Sequence, residues 1–340
     1  MPPPEAALAE LPPPSVLPYG AHPKQYARLH LPYAPRHGRG PFALLVSLHG
    51  GFWKAKWTID AAGGQTPALA ADFAARGVAV LDVEYRDRDD GGAWPGANED
   101  VLQCLLRLVP SLWRHGAAID LRRVVLLGHS AGGSLALWAA HHHNRRAWRS
   151  GRGGASAAYL VAHVVAVAPV TDMVAGYEQR LGDEGDAIER FLRTTPAAAG
   201  GEEQYRRASP LHLAPLLVRE VSLCAAPDDE DVPASHSHSM HEAQPGSRLL
   251  TSHVVATTRR CAWAARRTPR SCGSACAHSA PRSPPSGSLR RRQCCCSARR
   301  SSRCCARRRV AHPPPPLPCP AGATRAQTQR RRVRMMQRVC

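Results

Sequence analysis

Arg123-Val124-Val125-Leu126-Leu127-Gly128-His129-Ser130-Ala131-Gly132-Gly133-Ser134-Leu135-Ala136-Leu137-Trp138 decides how this chain is read. An apolar run of β-branched and leucine residues enters a Gly-x-Ser-x-Gly pentapeptide, and a small-residue segment of helical period leaves it. Strand, sharp turn and helix are the setting in which that pentapeptide lifts its serine hydroxyl above a sheet. Gly128 and Gly132 stand two residues to either side of Ser130, where a tight turn brings both flanks against the serine backbone and larger side chains would collide. Ser130 is the candidate nucleophile. A plain Gly-rich turn is the alternative, and the neighbouring elements decide between them.

Those neighbours supply a sheet. Phe42-Ala43-Leu44-Leu45-Val46-Ser47-Leu48 is a nearly continuous apolar run, which suits a strand buried on both faces. Tyr26 to Pro32, with Leu29 and Leu31 alternating with Arg28 and His30, reads as a short edge strand. Residues 66–76 are helix-compatible, residues 77–83 form another apolar strand, and Ala97 to Leu112 reads as an amphipathic helix with Val101, Leu105 and Leu108 on one face. After the serine turn come a buried strand over Val161 to Pro169, which Val170-Thr171-Asp172 continues, and a polar helix-capable stretch at 173–208. A strand over Leu216 to Leu223 and a helix over Ala234 to Ala243 follow. The alternation predicts an α/β fold, a mainly parallel sheet with helices on both faces.

A net charge of +19 would point to a polyanionic partner if it were spread evenly over the 340 residues. It is concentrated at one end. No acid follows Glu242, and 22 of the 45 basic residues, all arginine, lie after Gln244, which leaves 23 basic against 26 acidic side chains in residues 1–244. Cysteine divides the same way, with Cys104 and Cys224 in the body and ten beyond residue 260. Two distant cysteines in a large domain argue for a reducing compartment and against a disulfide framework. The opening Met1-Pro2-Pro3-Pro4-Glu5 lacks the basic-then-apolar order of a secretory signal, and no apolar run reaches about 18 residues. The expectation is a cytoplasmic protein with no membrane partner, an organellar transit peptide being the alternative. The sequence carries no signal of oligomeric state.

Three regions follow from these shifts: a Pro-rich arm at 1–17, an α/β domain at 18–244, and an Arg/Ser/Pro/Cys-rich tail at 245–340 that contains no Asp, Glu, Lys, Phe, Tyr, Ile or Asn. Such a composition cannot bury enough apolar surface to offset the entropy of ordering, so the tail is expected to be disordered and the sheet incomplete at the C-terminus. Two readings of the tail compete. One is an arginine-rich arm that binds nucleic acid or another polyanion. The other is an out-of-frame or intron-derived translation of GC-rich DNA, suggested by the joint loss of residues with AT-rich codons. Cys272-Gly273-Ser274-Ala275-Cys276 and the Cys294-Cys295-Cys296 triplet lack paired C-x2-C spacing, and neither a metal nor an organic cofactor is expected.

His49-Gly50-Gly51-Phe52-Trp53, Tyr85-Arg86, Trp94-Pro95 and Gly128-His129-Ser130-Ala131-Gly132-Gly133 together resemble the α/β-hydrolase family. The branch they are most similar to holds arylformamidase (kynurenine formamidase) and small feruloyl or acetyl-xylan esterases, and the likeness covers residues 19–244. It implies cleavage of a small-molecule carboxylic ester or aryl formamide through an acyl-enzyme, with Ser130 attacking and the N–H groups at Gly51, Phe52 and Ala131 receiving the oxyanion. His49 is read as orienting that loop. The competing class is a hydrolase-fold binding protein in which the pocket survives and turnover does not. Phe52, Trp53 and Trp94 are expected to flank the pocket mouth and to suit a planar aryl substrate. The stretch at 173–208, with Tyr177, Leu181, Ile188, Phe191 and Leu192, either lines that mouth or docks on the core.

The chain order serine, acid, histidine places the acid in Pro227-Asp228-Asp229-Glu230-Asp231-Val232-Pro233, after the late strand. The family pattern Asp-x-x-Val-Pro falls on Asp229, with Asp228 and Asp231 as competitors. The base follows one more helix and strand, and His253 in Leu249-Leu250-Thr251-Ser252-His253-Val254-Val255 is the only downstream histidine preceded by anything strand-like. His141-His142-His143 read as favourable charge near a helix C-terminus.

Overall fold

The computed structural model describes residue 8 and residues 10–61, 66–150 and 159–251. One sheet is built from β1 (Ser15–Pro18), β2 (Tyr26–His30), β3 (Phe42–Leu48), β4 (Ala79–Val83), β5 (Ile119–His129), β6 (His163–Val167), β7 (Glu220–Ala225) and β8 (Arg248–Thr251). Their spatial order is β1-β2-β4-β3-β5-β6-β7-β8. β1 and β2 pair antiparallel, as do β2 and β4, and every pairing from β4 through β8 is parallel. The register sets Leu48 beside Gly128, His129 beside Val167, Val167 beside Cys224 and Ala225 beside Thr251, so the carboxyl ends of β3, β5, β6, β7 and β8 share one edge.

Successive side chains on a strand face opposite ways, and the core divides accordingly. Leu44, Val46, Leu126, Val164 and Leu223 join a cluster with Val101 of α3 (Gly96–Gln103), Leu135 of α4 (Ala131–Ser150) and Met240 of α8 (Ser235–Ala243). Leu45, Val80, Leu127, Val165 and Cys224 join Leu69, Ala70 and Phe73 of α2 (Thr66–Ala75) on the other side. β4 is buried at every position, which explains why its sequence does not alternate. Between β2 and β3 lies a single turn, α1 (Ala34–His37).

Several elements differ from the sequence reading. β2 is not the edge strand, because Ser15–Pro18 of the supposed Pro-rich arm pairs with it and buries Leu17. Proline is tolerated there because an edge strand leaves one row of N–H groups unpaired. The helix expected over Ala97 to Leu112 is α-helical only to Gln103, then a wider turn at Cys104–Leu108 and a tighter one at Val109–His115, where Pro110 has no N–H to continue the ladder. β6 stops at Val167, and Asp172 instead caps α5 (Met173–Glu178) by accepting the N–H groups of Val174 and Ala175. β7 starts only at Glu220, the Leu216 N–H being taken by the Gln244 side chain at 2.6 Å.

Described structure also continues past residue 244. β8 lies at 248–251, inside the region assigned to the tail, and supplies a last parallel strand. Among the described residues no helix follows it. His253 and the polyanion-binding reading of the tail lie outside the described residues. His141, His142 and His143 sit in the middle of α4, not at its C-terminus; burial lowers the pKa of all three, that of His142 to about 4, so they do not act as charges on the helix end. Cys104 and Cys224 are both buried. No helix among the described residues is long and apolar enough to cross a membrane.

Candidate active site

β5 passes into α4 at Ser130, whose φ of 54° puts a non-glycine residue in the left-handed region. Its N–H donates to the Val167 carbonyl at 2.8 Å, tying the turn to the end of β6, and its carbonyl accepts the N–H groups of Gly133 and Ser134 to start the helix. A β-carbon on Gly128 would lie 2.2 Å from the Gly132 carbonyl oxygen. One on Gly132 would lie 2.3 Å from the carbonyl oxygen of His49 and 2.4 Å from that of Leu48. Strand, helix and the end of β3 therefore meet more closely than any side chain permits, which is why both flanks are glycine.

That approach carries the loop after β3 to the serine. A β-carbon on Gly50 would stand 3.0 Å from Ser130 Cβ. The next three residues all have positive φ, 119° at Gly51, 51° at Phe52 and 55° at Trp53. Left-handed non-glycine residues cost about 1–3 kcal/mol each, so something must hold this turn. From beneath, His49 Nε2 lies 3.0 Å from Glu84 Oε1, and the His49 ring stacks on Tyr85 at 4.3 Å. The Tyr85 hydroxyl donates to the His49 carbonyl at 2.7 Å, while the Glu84 carboxylate accepts the N–H groups of Tyr85 and Ile59 at 3.0 Å each. His49 orients the loop, as expected. Glu84 was not singled out by sequence; its signal is an acid directly after a fully buried strand, where a carboxylate persists only with several donors. The N–H groups of Gly51, Phe52 and Ala131 donate to no acceptor among the described residues.

Two strands from Ser130, β7 reaches the same edge and the acidic loop follows. Asp229 is half-buried, and its Oδ1 accepts the N–H groups of Asp231 at 2.9 Å and Val232 at 3.0 Å, a local turn that fixes the carboxylate. Burial, with Asp231 and Asp228 nearby, raises its pKa despite those bonds. Asp228 and Glu230 are exposed. β8 then brings Thr251 to the edge opposite Ala225, and His253 lies outside the described residues. The buried His236 is fully engaged elsewhere. Its Nδ1 accepts from the Thr171 and Asp172 N–H groups, its Nε2 faces Gln179 Oε1 at 3.2 Å, and burial pushes its pKa down to about 4.

Residues 173–208 fold as α5, α6 (Ala187–Leu192) and α7 (Gly201–Ala208). Leu181, Ile188, Phe191 and Leu192 are buried in the main core, which decides for docking over lining. Tyr177 stands edge-on to Tyr205. Trp53 is 2% exposed and lies flat on Phe191 at 3.9 Å, and Phe52 is also buried. The expectation that these rings wall an open mouth is therefore corrected: burial on both faces is worth more to an indole than one wet face. Trp94, half-buried and edge-on to Trp138, remains partly open.

The BD-FAE family model matches residues 32–243, more than half of the chain. The chain belongs to the BD-FAE family. This is a family of α/β-hydrolases, and the mainly parallel eight-stranded sheet with its helices is the fold the sequence resemblance implied. No curated protein matches this BD-FAE chain. Among solved structures it is similar to a truncated carbohydrate esterase from gut microbiota, at 17% identity and a TM-score of 0.55 over 74% of this chain and 90% of that one. Esterase B from Lactobacillus rhamnosis gives 19% identity and a TM-score of 0.54 over 73% and 78% of the two chains. The carboxylesterase Cest-2923 from Lactobacillus plantarum gives 16% and 0.50 over 71% and 83%. At such identities the likeness is one of fold.

Proposed function

We propose that this BD-FAE protein is a serine hydrolase that cleaves a small carboxylic ester or an aryl formamide through an acyl-enzyme. The observation that carries this reading is the closeness of the loop after β3 to Ser130, a β-carbon built on Gly50 falling only 3.0 Å from Ser130 Cβ. An oxyanion formed by attack of Ser130 Oγ on a carbonyl carbon would face the N–H groups of Gly51, Phe52 and Ala131, donors that need no rearrangement as charge develops. His253, two residues beyond Thr251 in the chain, takes the serine proton and returns it to the departing alcohol or amine. Asp229 holds that imidazole in the right tautomer and steadies its charged form. Water then repeats the sequence on the acyl-enzyme and releases the carboxylic acid, formic acid in the formamide case. Side-chain and backbone groups alone carry each step.

Support for the ester side comes from the esterases whose fold it shares, and support for the formamide side from the likeness of residues 49–53, 85–86, 94–95 and 128–133 to arylformamidase. The test is fluorophosphonate labelling of the full chain beside Ser130→Ala, with turnover of p-nitrophenyl acetate and N-formylkynurenine followed in parallel. Labelling at Ser130 with turnover of either substrate is expected. Ligand binding without labelling or turnover would replace this reading with that of a non-catalytic binding protein.

A further inference from the structure

The left-handed turn beside the nucleophile is fastened from outside by the insertion at 173–208. Trp53 lies on Phe191 of α6 with centroids 3.9 Å apart and planes 7° from parallel. The next residue, Lys54, has a side chain only 10% exposed, and its Nζ reaches Asp183 Oδ2 at 3.1 Å and Glu184 Oε2 at 2.6 Å, in the loop between α5 and α6. The Trp53 carbonyl accepts the Arg88 N–H at 2.8 Å. Arg88 is itself joined to the insertion, donating to the Ala187 carbonyl at 3.4 Å and accepting at its own carbonyl from the Arg193 guanidinium at 3.2 Å. Stacked rings, ion pairs and backbone bonds thus all close on the same unit. At the other end of this five-residue segment, a β-carbon on Gly50 would stand 3.0 Å from Ser130 Cβ.

We propose that Phe191 is a positioning residue for the oxyanion donors: by stacking on Trp53 it keeps Gly51 and Phe52 in the left-handed turn that aims their N–H groups at a carbonyl oxygen held over Ser130, with the Lys54 clamp as a second fastening. The inference rests on the serine-hydrolase reading and deepens it. The direction of an N–H group is set by the backbone angles of its own and the preceding residue, and non-glycine residues in the left-handed region revert to the ordinary regions once unfastened. Donors that swing away weaken binding of the tetrahedral transition state far more than of the planar substrate.

The experiment uses the full chain. Phe191→Leu keeps apolar bulk and removes the flat face. Amide hydrogen exchange over this segment, read at Lys54, whose N–H closes the turn on the Gly51 carbonyl at 3.1 Å, should rise about tenfold or more while exchange in β3 to β6 stays put. The kcat for p-nitrophenyl acetate should fall about tenfold or more with KM within about twofold, and affinity for an aryl boronic acid, a tetrahedral mimic, should fall in parallel. Phe191→Tyr, which keeps the ring, should recover most of kcat. The paired exposed changes Asp183→Asn and Glu184→Gln spare the core; they should raise exchange at the same amide by a smaller factor and lower kcat about two- to threefold, an effect that high salt reproduces in the unaltered protein. Unchanged exchange at Lys54 in both the Leu and the paired variants overturns the proposal, whether or not Ser130 turns anything over. A variant that raises KM and leaves kcat alone overturns it too, making Phe191 a pocket wall. Faster exchange in the variants of a protein that hydrolyses nothing supports the fastening and removes the hydrolase reading alone.

Discussion

Two turns meet at Ser130, and they are held by different means. The serine elbow is set by backbone against backbone: Gly128 on Gly132, Gly132 on Leu48 and His49, and the Ser130 N–H on Val167. The turn from His49 to Lys54 is set by side chains from far along the chain, with Glu84 and Tyr85 beneath it and Phe191, Asp183 and Glu184 above. The first admits no β-carbon and asks for no particular partner. The second carries two bulky left-handed residues because remote groups offset their strain. In this reading the pose of the nucleophile rests on backbone contacts, and the pose of the donors that serve it rests on particular side chains from elsewhere in the fold.

The largest effect should come from the elbow itself. Ser130→Ala is expected to lower kcat for p-nitrophenyl acetate by about 10³-fold or more with little change in melting temperature, because it removes one hydroxyl and leaves every backbone contact. Equal rates in both proteins would remove the enzyme assignment. Asp229→Asn should come next, about 10²- to 10⁴-fold in kcat, since an amide that replaces the carboxylate favours the wrong imidazole tautomer. Normal turnover by that variant would move the acid to Asp231 or Asp228.

Gly132→Ala tests backbone bracing directly. The added carbon meets two carbonyl oxygens that cannot rotate away, so unfolding in urea should show a loss of about 1–3 kcal/mol and the rate should fall about tenfold or more. Glu84→Gln tests side-chain bracing by keeping the shape and removing the charge opposite His49. A loss of about 1–3 kcal/mol is expected, with a rate loss near tenfold and fluorophosphonate still directed to Ser130. If Glu84→Gln is silent while Gly132→Ala is not, the contrast between the two turns is false.

The smallest effect has the sharpest sign. Burial raises the Asp229 pKa in the folded chain, so the folded state holds that proton more tightly than the unfolded state and loses stability as pH rises through the raised value. Asp229→Asn avoids this cost. Its melting temperature at pH 7 should equal or exceed that of the unaltered protein, and the difference should change as pH falls through the raised Asp229 value and level off only below the ordinary carboxylate value of the unfolded chain. A variant less stable at pH 7 and equally stable in acid would mean that Asp229 is held by a cation, not merely buried.

What could be read from the sequence follows the same division. Gly128, Ser130, Gly132 and the run Phe42 to Leu48 were legible because sterics within a few residues, or burial on both faces, leave one arrangement open. Asp229 was reached through the family pattern Asp-x-x-Val-Pro with Asp228 and Asp231 as competitors, and the turn closed on its carboxylate by backbone N–H groups is not something a residue pattern displays. β1 was hidden by Pro13, Pro14 and Pro18, and β8 by an arginine-rich stretch too short to show a period. Trp53 was placed at a mouth because a sequence shows an aromatic after a glycine pair and not the ring that will cover it. Glu84 had one local mark, an acid directly after a fully buried strand, whereas Phe191 had none, because its partner Trp53 lies far away in the chain.

Among the described residues, each of the two core clusters holds one thiol. Cys104 belongs to the cluster under α3 and α4, and Cys224 to the cluster under α2. Thiolate is the reactive form, and burial drives the Cys104 thiol well above its ordinary range, so an alkylating reagent reaches either sulfur only when its layer parts. The two cysteines are clocks set into opposite halves of the core. Equal alkylation rates would describe a sheet that opens as a whole, whereas a faster Cys224 would describe one whose α2 layer, with a single described helix upon it, lifts first.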